Sequence, residues 1–450
     1  MRHIAVIDIG KTNAKVALVD LVAGAEVAVV THPNRVLTDG PYPHFDTIGL
    51  WQFVQGGLRE LATIHGFDGI SVTTHGACAA WLAPDGTLAT PVLDYEHTGP
   101  DTLRADYEPL RPPFALTGSP ALPHGLNLGA QLHWQLARDA SLAARTAQIV
   151  TWPQYWGYLL TGQTACDVCS LGCHTDLWEP ENARYSPLIA TLSLQDKFAP
   201  ARKPADVLGP LTPTMQAALG LGPIPVLCGI HDSNASLFPH LLARTAPFSV
   251  VSTGTWVIAM AMGADPVTLN PAVDVLVNVN ALGHPVPSAR FMGGREYELI
   301  RKGRASTATK ADGDSVLARA LMLLPSVQPD SGPFPGHQHR WTSPTRSPAE
   351  TEVALGYYLA LMTARCLHNI GARGPVLIEG PFGENPWYVA MLSAATGRAV
   401  VPSAGRTGTA VGAAMLFSPS AAAARTPPPP DIDPRLSEYA KYWLAEVQDT

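Results

Sequence analysis

The sequence predicts an α/β protein built from two similar halves, and three observations carry that prediction. A pattern of strand, polar Gly/Thr turn and strand occurs over residues 4–19 and again over 248–261. β-prone runs alternate with stretches of helical period. The length, 450 residues, is enough for two or three substantial cores. Two halves joined near residue 245 fit better than three independent domains, because each half opens in the same way, and a ligand cleft is expected between them.

Taken in order, Ile4 to Ile7 is β-prone, Asp8 to Asn13 is turn-like, and Ala14 to Val19 is apolar again, which makes a hairpin. Residues 51–64 (WQFVQGGLRELATI) carry apolar side chains near helical spacing, and Gly69 to Thr74 returns to β-branched residues before a loop at His75 and Gly76. Residues 127–145 and 155–160 read as helical. Pro225 to Gly229 is a short strand that runs into the polar group His231, Asp232, Ser233 and Asn234, and a polar group at a strand end suggests a site. The second half begins with the strand Phe248 to Val251, the turn Ser252 to Thr255 and the strand Trp256 to Ala261. A helix is predicted over 349–370, in which Tyr357, Tyr358, Met362 and Cys366 form a core-facing stripe. A buried strand from Pro375 to Glu379, a turn from Gly380 to Asn385 and a helix over 386–396 follow. Residues 304–347 show little period and read as decoration outside the cores, and 426–434 reads as a stiff spacer before a short terminal helix.

Composition narrows the class of ligand. Apolar residues make up 46% and charged residues 15%; with 30 basic against 37 acidic side chains the net charge is −7, without a long basic run. A nucleic acid or an anionic membrane is therefore a poor main partner, and a small molecule is the better expectation. The opening apolar run is too short for a secretory core and no stretch approaches a membrane span, so the chain reads as cytoplasmic. The six cysteines (Cys78, Cys166, Cys169, Cys173, Cys228, Cys366) are sparse and are expected to be reduced thiols. Cys166, Cys169, Cys173 and His174 have CxxC spacing but lack a second paired group, which argues for buried thiols over a metal site.

The turn of Asp8, Gly10, Lys11, Thr12 and Asn13 offers a carboxylate, a permissive backbone, two small polar side chains and a lysine, a set suited to phosphate and Mg²⁺. An ordinary hairpin turn is the plain alternative; the recurrence at Ser252, Thr253, Gly254 and Thr255 favours two hairpins that grip one polyphosphate. Neither a GxxxxGK[ST] loop nor a GxGxxG fingerprint after a strand is present, so any phosphate site is hairpin-built.

DIGKTNAK at 8–15, GIHDSNA at 229–235 and STGTW at 252–256, in this order and spacing, resemble the FGGY family of carbohydrate kinases. The His231–Asp232 pair and the GTW at 254–256 are most similar to its L-rhamnulose and L-fuculose kinases. The resemblance implies a two-domain actin-like (ribonuclease H-like) ATPase fold closing over ATP and a sugar, with Mg²⁺ at the hinge. It implies Asp8 as the metal-organising carboxylate, Thr12, Asn13 and Lys15, with Lys11 of the same turn, beside the phosphates, and Asp232 as catalytic base. A helix N-cap is the bland role for Asp232 and is compatible with the catalytic one. Thr253, Gly254 and Thr255 would form the second phosphate loop, and EGPFGENPW the adenosine loop, with Gly380, Gly383 and Asn385 near the nucleoside. There the family's run of three glycines is interrupted by Pro381 and Phe382. Gly405, Gly408 and Gly412 resemble the loop and helix that back this pocket, or simply mark a closely packed helix.

The sugar side departs from the family: His75 and Cys78 stand where relatives tend to have an aspartate and an aromatic residue, and Glu96 stands where an aspartate is usual. The sugar ligands expected are His75, Glu96, Gln131 and Asp232. The activity implied is transfer of the γ-phosphoryl group of ATP to a hydroxyl of a ketose such as L-fuculose or L-rhamnulose, and a homodimer is compatible with it. Rival readings are a kinase of a shorter ketose or polyol, a catalytically silent sugar or nucleotide sensor, and a chaperone-like or filament-forming ATPase of the same fold.

Overall fold

In the computed structural model the chain is described from residue 1 to 448, apart from residues 305, 404–407, 419–423, 425–426 and 429–430. It divides into two compact units. The first comprises Met1–Ala243, Val277–Pro285 and the described residues of 407–423; the second comprises Arg244–Leu276 and the described residues of 286–406 and 424–450. The main division thus falls between residues 243 and 244, and two later segments of the chain return to the first unit, so a single cut near 245 does not describe it.

The first unit is organised by a mixed sheet. β1 (His3–Ile9) and β2 (Asn13–Asp20) form the opening antiparallel hairpin, and β3 (Ala25–Pro33) continues it as the edge strand. Helix α1 (Thr47–Ile64), capped by the Asp46 carboxylate accepting from Gly49 N at 2.8 Å, carries the chain to β4 (Gly69–Thr74), which pairs parallel to β1. Every residue of β4 is buried, as expected of a strand covered on both faces. Helix α2 (Leu128–Arg138) is shorter than the helical period of 127–145 predicts. Asp139 accepts from Ser141 N and Oγ at 3.0 and 2.6 Å and so ends the helix with a local side-chain turn. Helix α3 (Trp152–Thr161) precedes β5 (Val207–Pro210), β6 (Pro225–Leu227) and β7 (Ile230–His231). The strand order is β5-β6-β4-β1-β2-β3, with β7 also pairing β4. Helix α4 (Asp232–Ala243) starts directly from β7.

The second unit repeats the scheme. β8 (Phe248–Thr253) and β9 (Val257–Met262) form its hairpin, and the sheet continues through β11 (Pro285–Phe291) to β10 (Val275–Val279), strands whose residues from Val277 to Pro285 are grouped with the first unit. Helix α5 (Gly293–Arg301) follows. The long helix α6 (Pro348–Asn369) leads to β12 (Val376–Glu379), which pairs parallel to β8 as β4 pairs to β1. Helix α7 (Pro386–Thr396) and β13 (Val400–Pro402) complete the sheet, in the order β10-β11-β9-β8-β12-β13. Helix α8 (Thr409–Ala414) belongs to the first unit, and α9 (Pro434–Gln448) to the second.

Residues 304–347 are more than decoration. Lys310–Ala318 is a helix started by a Thr309/Asp312 capping box, and Val316, Leu321 and Leu323 are fully buried in the second unit's core. The segment has little helical period because its buried side chains come from a short helix and from the extended residues after it. Among the described residues, no helix is long and apolar enough to cross a membrane.

Candidate functional site

The turn between β1 and β2 is closed by Gly10 N donating to Asn13 O at 2.9 Å. It is clamped by Asn34, whose Nδ2 donates to Gly10 O at 2.8 Å and whose backbone N donates to Thr12 O at 2.9 Å. This leaves Thr12 and Asn13 exposed at the tip, with Asn13 Nδ2 donating to Thr12 Oγ1 at 3.2 Å. Asp8 lies opposite Lys15 in the ladder, and the Lys15 ammonium stands 3.6 Å from its carboxylate and 2.8 Å from that of Glu26.

Strand pairing brings Asp8 and Asp232 to one edge. Thr73 of β4 is in register with Asp8 on one side and with Ile230 on the other, so β1 and β7 end together with β4 between them. Two strand spacings are about 10 Å. Asp232 starts α4, accepts from Ser233 N at 2.6 Å, and lies 3.2 Å from His231 Nε2. The two carboxylates feel one another: burial lifts the Asp8 carboxyl to about 6, Lys15 works against this, and the charge of Asp232 adds to it. His231 is pushed down by its burial, but Cys173 and Asp232 outweigh that and raise it to about 10, so an imidazolium faces the Asp232 carboxylate.

His75 follows β4, its backbone N donating to Ile9 O at 3.0 Å. Its ring packs against Phe45 and Tyr95, with centroids 5.0 and 5.3 Å away. Burial lowers it to about 4, so it is neutral at pH 7. Nδ1 lies 2.9 Å from Gly76 O, which can only accept; the proton is therefore on Nδ1, and Nε2 is an acceptor, buried and without a partner.

Lys11 does not lie with Thr12 and Asn13. Its ammonium binds the Asp94 carboxylate, stands 3.2 Å from Glu96 Oε2, and sits over the rings of Phe45 and Tyr95 at 5.2 and 4.8 Å. Asp94, which the sequence reading passed over in favour of Glu96, is the buried member of DYEH and also accepts from Glu96 N at 3.1 Å. Gln131 is spent on the backbone: its Nε2 donates to Ala77 O at 2.6 Å and to Gly125 O, which ties the loop after β4 to the start of α2. Cys78 is buried and its thiol is pushed up by burial.

A single hard cation needs only one or two carboxylates and its own waters. Asp8, a half-desolvated carboxylate with a second acid nearby, is chemically suited to such an ion. The six cysteines are all free and buried, and among the described residues no cluster of three or more His, Cys, Asp or Glu side chains could hold a metal.

In the second unit the β8–β9 turn leaves Gly254 and Thr255 exposed, closed by Gly254 N donating to Trp256 O at 3.0 Å. Thr253 is turned inward: its Oγ1 donates to Glu379 O at 2.6 Å and accepts from Phe382 N at 3.2 Å, which ties the turn to the loop after β12. Gly380 is needed there, with φ +87° and room for no Cβ, which would lie 2.1 Å from Thr253 O. Gly254, Thr255, Tyr297, Arg301, Phe382 and Trp387 are among the walls of a cavity of about 830 Å³. Asn385 also lines it while its Oδ1 caps α7 at Trp387 N and Tyr388 N, 3.0 and 3.3 Å away. Gly380 and Gly383 shape the loop without lining the cavity. The sequence reading missed the contribution of α5; the signal was GGREYELIRK after a strand, where Gly294 lets the helix start against the turn, a Cβ there falling 2.0 Å from Gly254 O. Gly408 stands at the N-cap of α8 in the first unit, and Gly405 lies outside the described residues.

A family model described as the C-terminal domain of FGGY carbohydrate kinases matches residues 245–426. Among curated proteins, the rhamnulokinase of Bacteroides thetaiotaomicron is 24% identical over 265 residues, which is 56% of this chain and 53% of that protein. The L-fuculokinase of Haemophilus influenzae is 28% identical over 145 residues, 31% of this chain and 29% of that protein. The chain thus spans about half or less of the length of the curated relatives it matches. A crystal structure of a carbohydrate kinase from Novosphingobium aromaticivorans superposes with a TM-score of 0.91 at 36% identity, covering 98% of this chain and all of that one. The two-domain actin-like ATPase fold and the motifs of both units agree with this likeness along the full length, and the chain belongs to the FGGY family of carbohydrate kinases.

Proposed function

We propose that the protein is an ATP-dependent sugar kinase that phosphorylates a hydroxyl of a ketose, with L-rhamnulose and L-fuculose as the first substrates to try. The observation that carries the reading is the pairing of Asp8 and Asp232 across the end of β4, with His231 bonded to Asp232. Asp232 accepts the proton of the attacking hydroxyl as its oxygen bonds to the γ-phosphorus, and the bond from that phosphorus to the bridging oxygen breaks to release ADP. The imidazolium of His231 orients the carboxylate. Asp8 would hold Mg²⁺, whose chemistry is to neutralise charge on the phosphate oxygens. The exposed Thr12–Asn13 tip, with Lys15 beside it, suits the phosphates, and the 830 Å³ cavity of the second unit, walled in part by Gly254 and Thr255, has the size and aromatic walls for the nucleoside. Names of the two curated relatives support a deoxyketose, while the changed residues His75 and Glu96 favour keeping shorter ketoses and polyols in the panel. Six free cysteines fit a reducing, cytoplasmic setting.

The test is an ADP-release assay across ketoses and polyols with wild type and Asp232→Asn. The expected result is sugar-dependent ADP release that falls by several orders of magnitude in the variant while nucleotide binding is kept. Equal rates in both proteins would remove Asp232 from the role of base; ADP release indifferent to every sugar would favour an ATPase of the same fold.

A further inference from the structure

The first turn splits its polar side chains between two tasks. Thr12 and Asn13 stay at the exposed tip, while Lys11 folds away from it and ends between Asp94 and Glu96. Phe45 and Tyr95 each touch both the Lys11 ammonium and the His75 ring, so lysine and histidine share one wall. An ammonium has three N–H groups. Asp94 and Glu96 use two of them, and Glu96, with 62% of its side chain exposed, is the partner most readily replaced. Asp94 is anchored on the backbone, its N donating to Pro43 O at 3.0 Å.

On this geometry, and resting on the kinase reading above, we propose that Lys11 is a specificity residue of the acceptor-sugar pocket: it donates to one substrate hydroxyl, in concert with the acceptor nitrogen of His75, and takes no part in holding phosphate. One observation points to a ligand at this place independently of the turn motif: His75 Nε2 is a buried acceptor without a partner in a residue only 6% exposed, and a hydroxyl of the substrate supplies the missing hydrogen as the exposed Glu96 yields. The balance of charge names the substrate class. Lys11 is already matched by Asp94 and Glu96, and the imidazolium of His231 by Asp232, so the pocket has no spare positive charge for an anion. Neutral polyhydroxy acceptors are accepted, and sugar acids are rejected.

The experiment compares wild type, Lys11→Met and Lys11→Arg in steady-state kinetics, with each substrate varied in turn. It adds calorimetric binding of the best neutral ketose and of a non-hydrolysable ATP analogue. Loss of one charge-assisted hydrogen bond predicts a rise in sugar KM and sugar Kd of roughly 10- to 100-fold in Lys11→Met, partly recovered in Lys11→Arg. KM and Kd for the nucleotide should move by less than about twofold, within ordinary non-specific effects on a neighbouring site. A larger loss of nucleotide affinity with sugar binding intact would return Lys11 to the phosphates and overturn the proposal. So would phosphorylation of a sugar acid by wild type as good as that of its neutral counterpart. If wild type phosphorylates nothing in the panel, the kinase reading fails by itself, and binding decides the pocket: ketose binding that Lys11→Met abolishes upholds it, and absence of ketose binding to wild type sinks it. A Lys11→Met protein that loses its cooperative thermal transition is judged on Lys11→Arg alone, where unchanged sugar affinity and weakened nucleotide affinity refute the assignment.

Discussion

At Asp232 two roles meet in one side chain. The carboxylate opens α4 by accepting from Ser233 N, and the same oxygen faces His231. The imidazolium of His231, 3.2 Å away, holds the carboxylate in place at the end of the sheet. Asp8, two strands away, is its electrostatic neighbour, and this yields a measurable consequence. Burial first, and then the charge of Asp232, lifts Asp8 to about 6 in the protein without nucleotide. Removing that charge in Asp232→Asn should move Asp8 downward, while Lys15→Met should move it upward, since the ammonium favours the ionised form. A ¹³C carboxyl titration of the free protein reads both signs. If Asp8 holds Mg²⁺ as proposed, only its ionised form does so, and the concentration of Mg²⁺ needed for half-maximal rate should rise about tenfold per pH unit below about 6.

Helices set the walls of these sites, and their packing is stricter than their propensity. α8 meets α4 at Gly412, where a Cβ would fall 1.9 Å from Ala235 O. Gly412→Ala should therefore destabilise the first unit by about 1–3 kcal/mol, despite alanine's better helix propensity, and urea denaturation reads the loss. Gly→Ala at the exposed Gly56 of α1, where nothing lies within 4 Å of the added carbon, is the control and should stabilise slightly. Elements with a local signature were legible in the sequence: the two hairpins, α1, the helix at 349–370 and the strand before Gly380 all stand within a few residues of their predicted bounds. Where the reading slipped, a side chain overrode the period. Asp139 stopped α2, and Thr309 with Asp312 started a helix in a stretch whose composition suggested none. β3 has no apolar alternation strong enough to announce it, because its outer positions are exposed.

Across the whole molecule, each sheet places an antiparallel hairpin beside a parallel strand that arrives after a helix: β2-β1-β4 in the first unit and β9-β8-β12 in the second. Under the proposed function the protein binds two ligands, sugar and nucleotide, so stability should rise by mass action when they are added separately. At 100 times Kd either ligand should contribute about 2.7 kcal/mol, seen as a higher thermal midpoint, with Lys11→Met blunting the response to sugar and sparing the response to nucleotide. The chain read without coordinates already named the α/β class, the repeated hairpin, the family and the residues at the turn tips, since turns and caps are written in neighbouring residues. The fold alone settled where long side chains end: Lys11 left the tip for Asp94, Gln131 turned to backbone carbonyls, and Asp8 met Asp232. Those outcomes depend on the pairing of strands more than 60 and more than 150 residues apart, and spacing along a sequence carries no record of which distant strand becomes the neighbour.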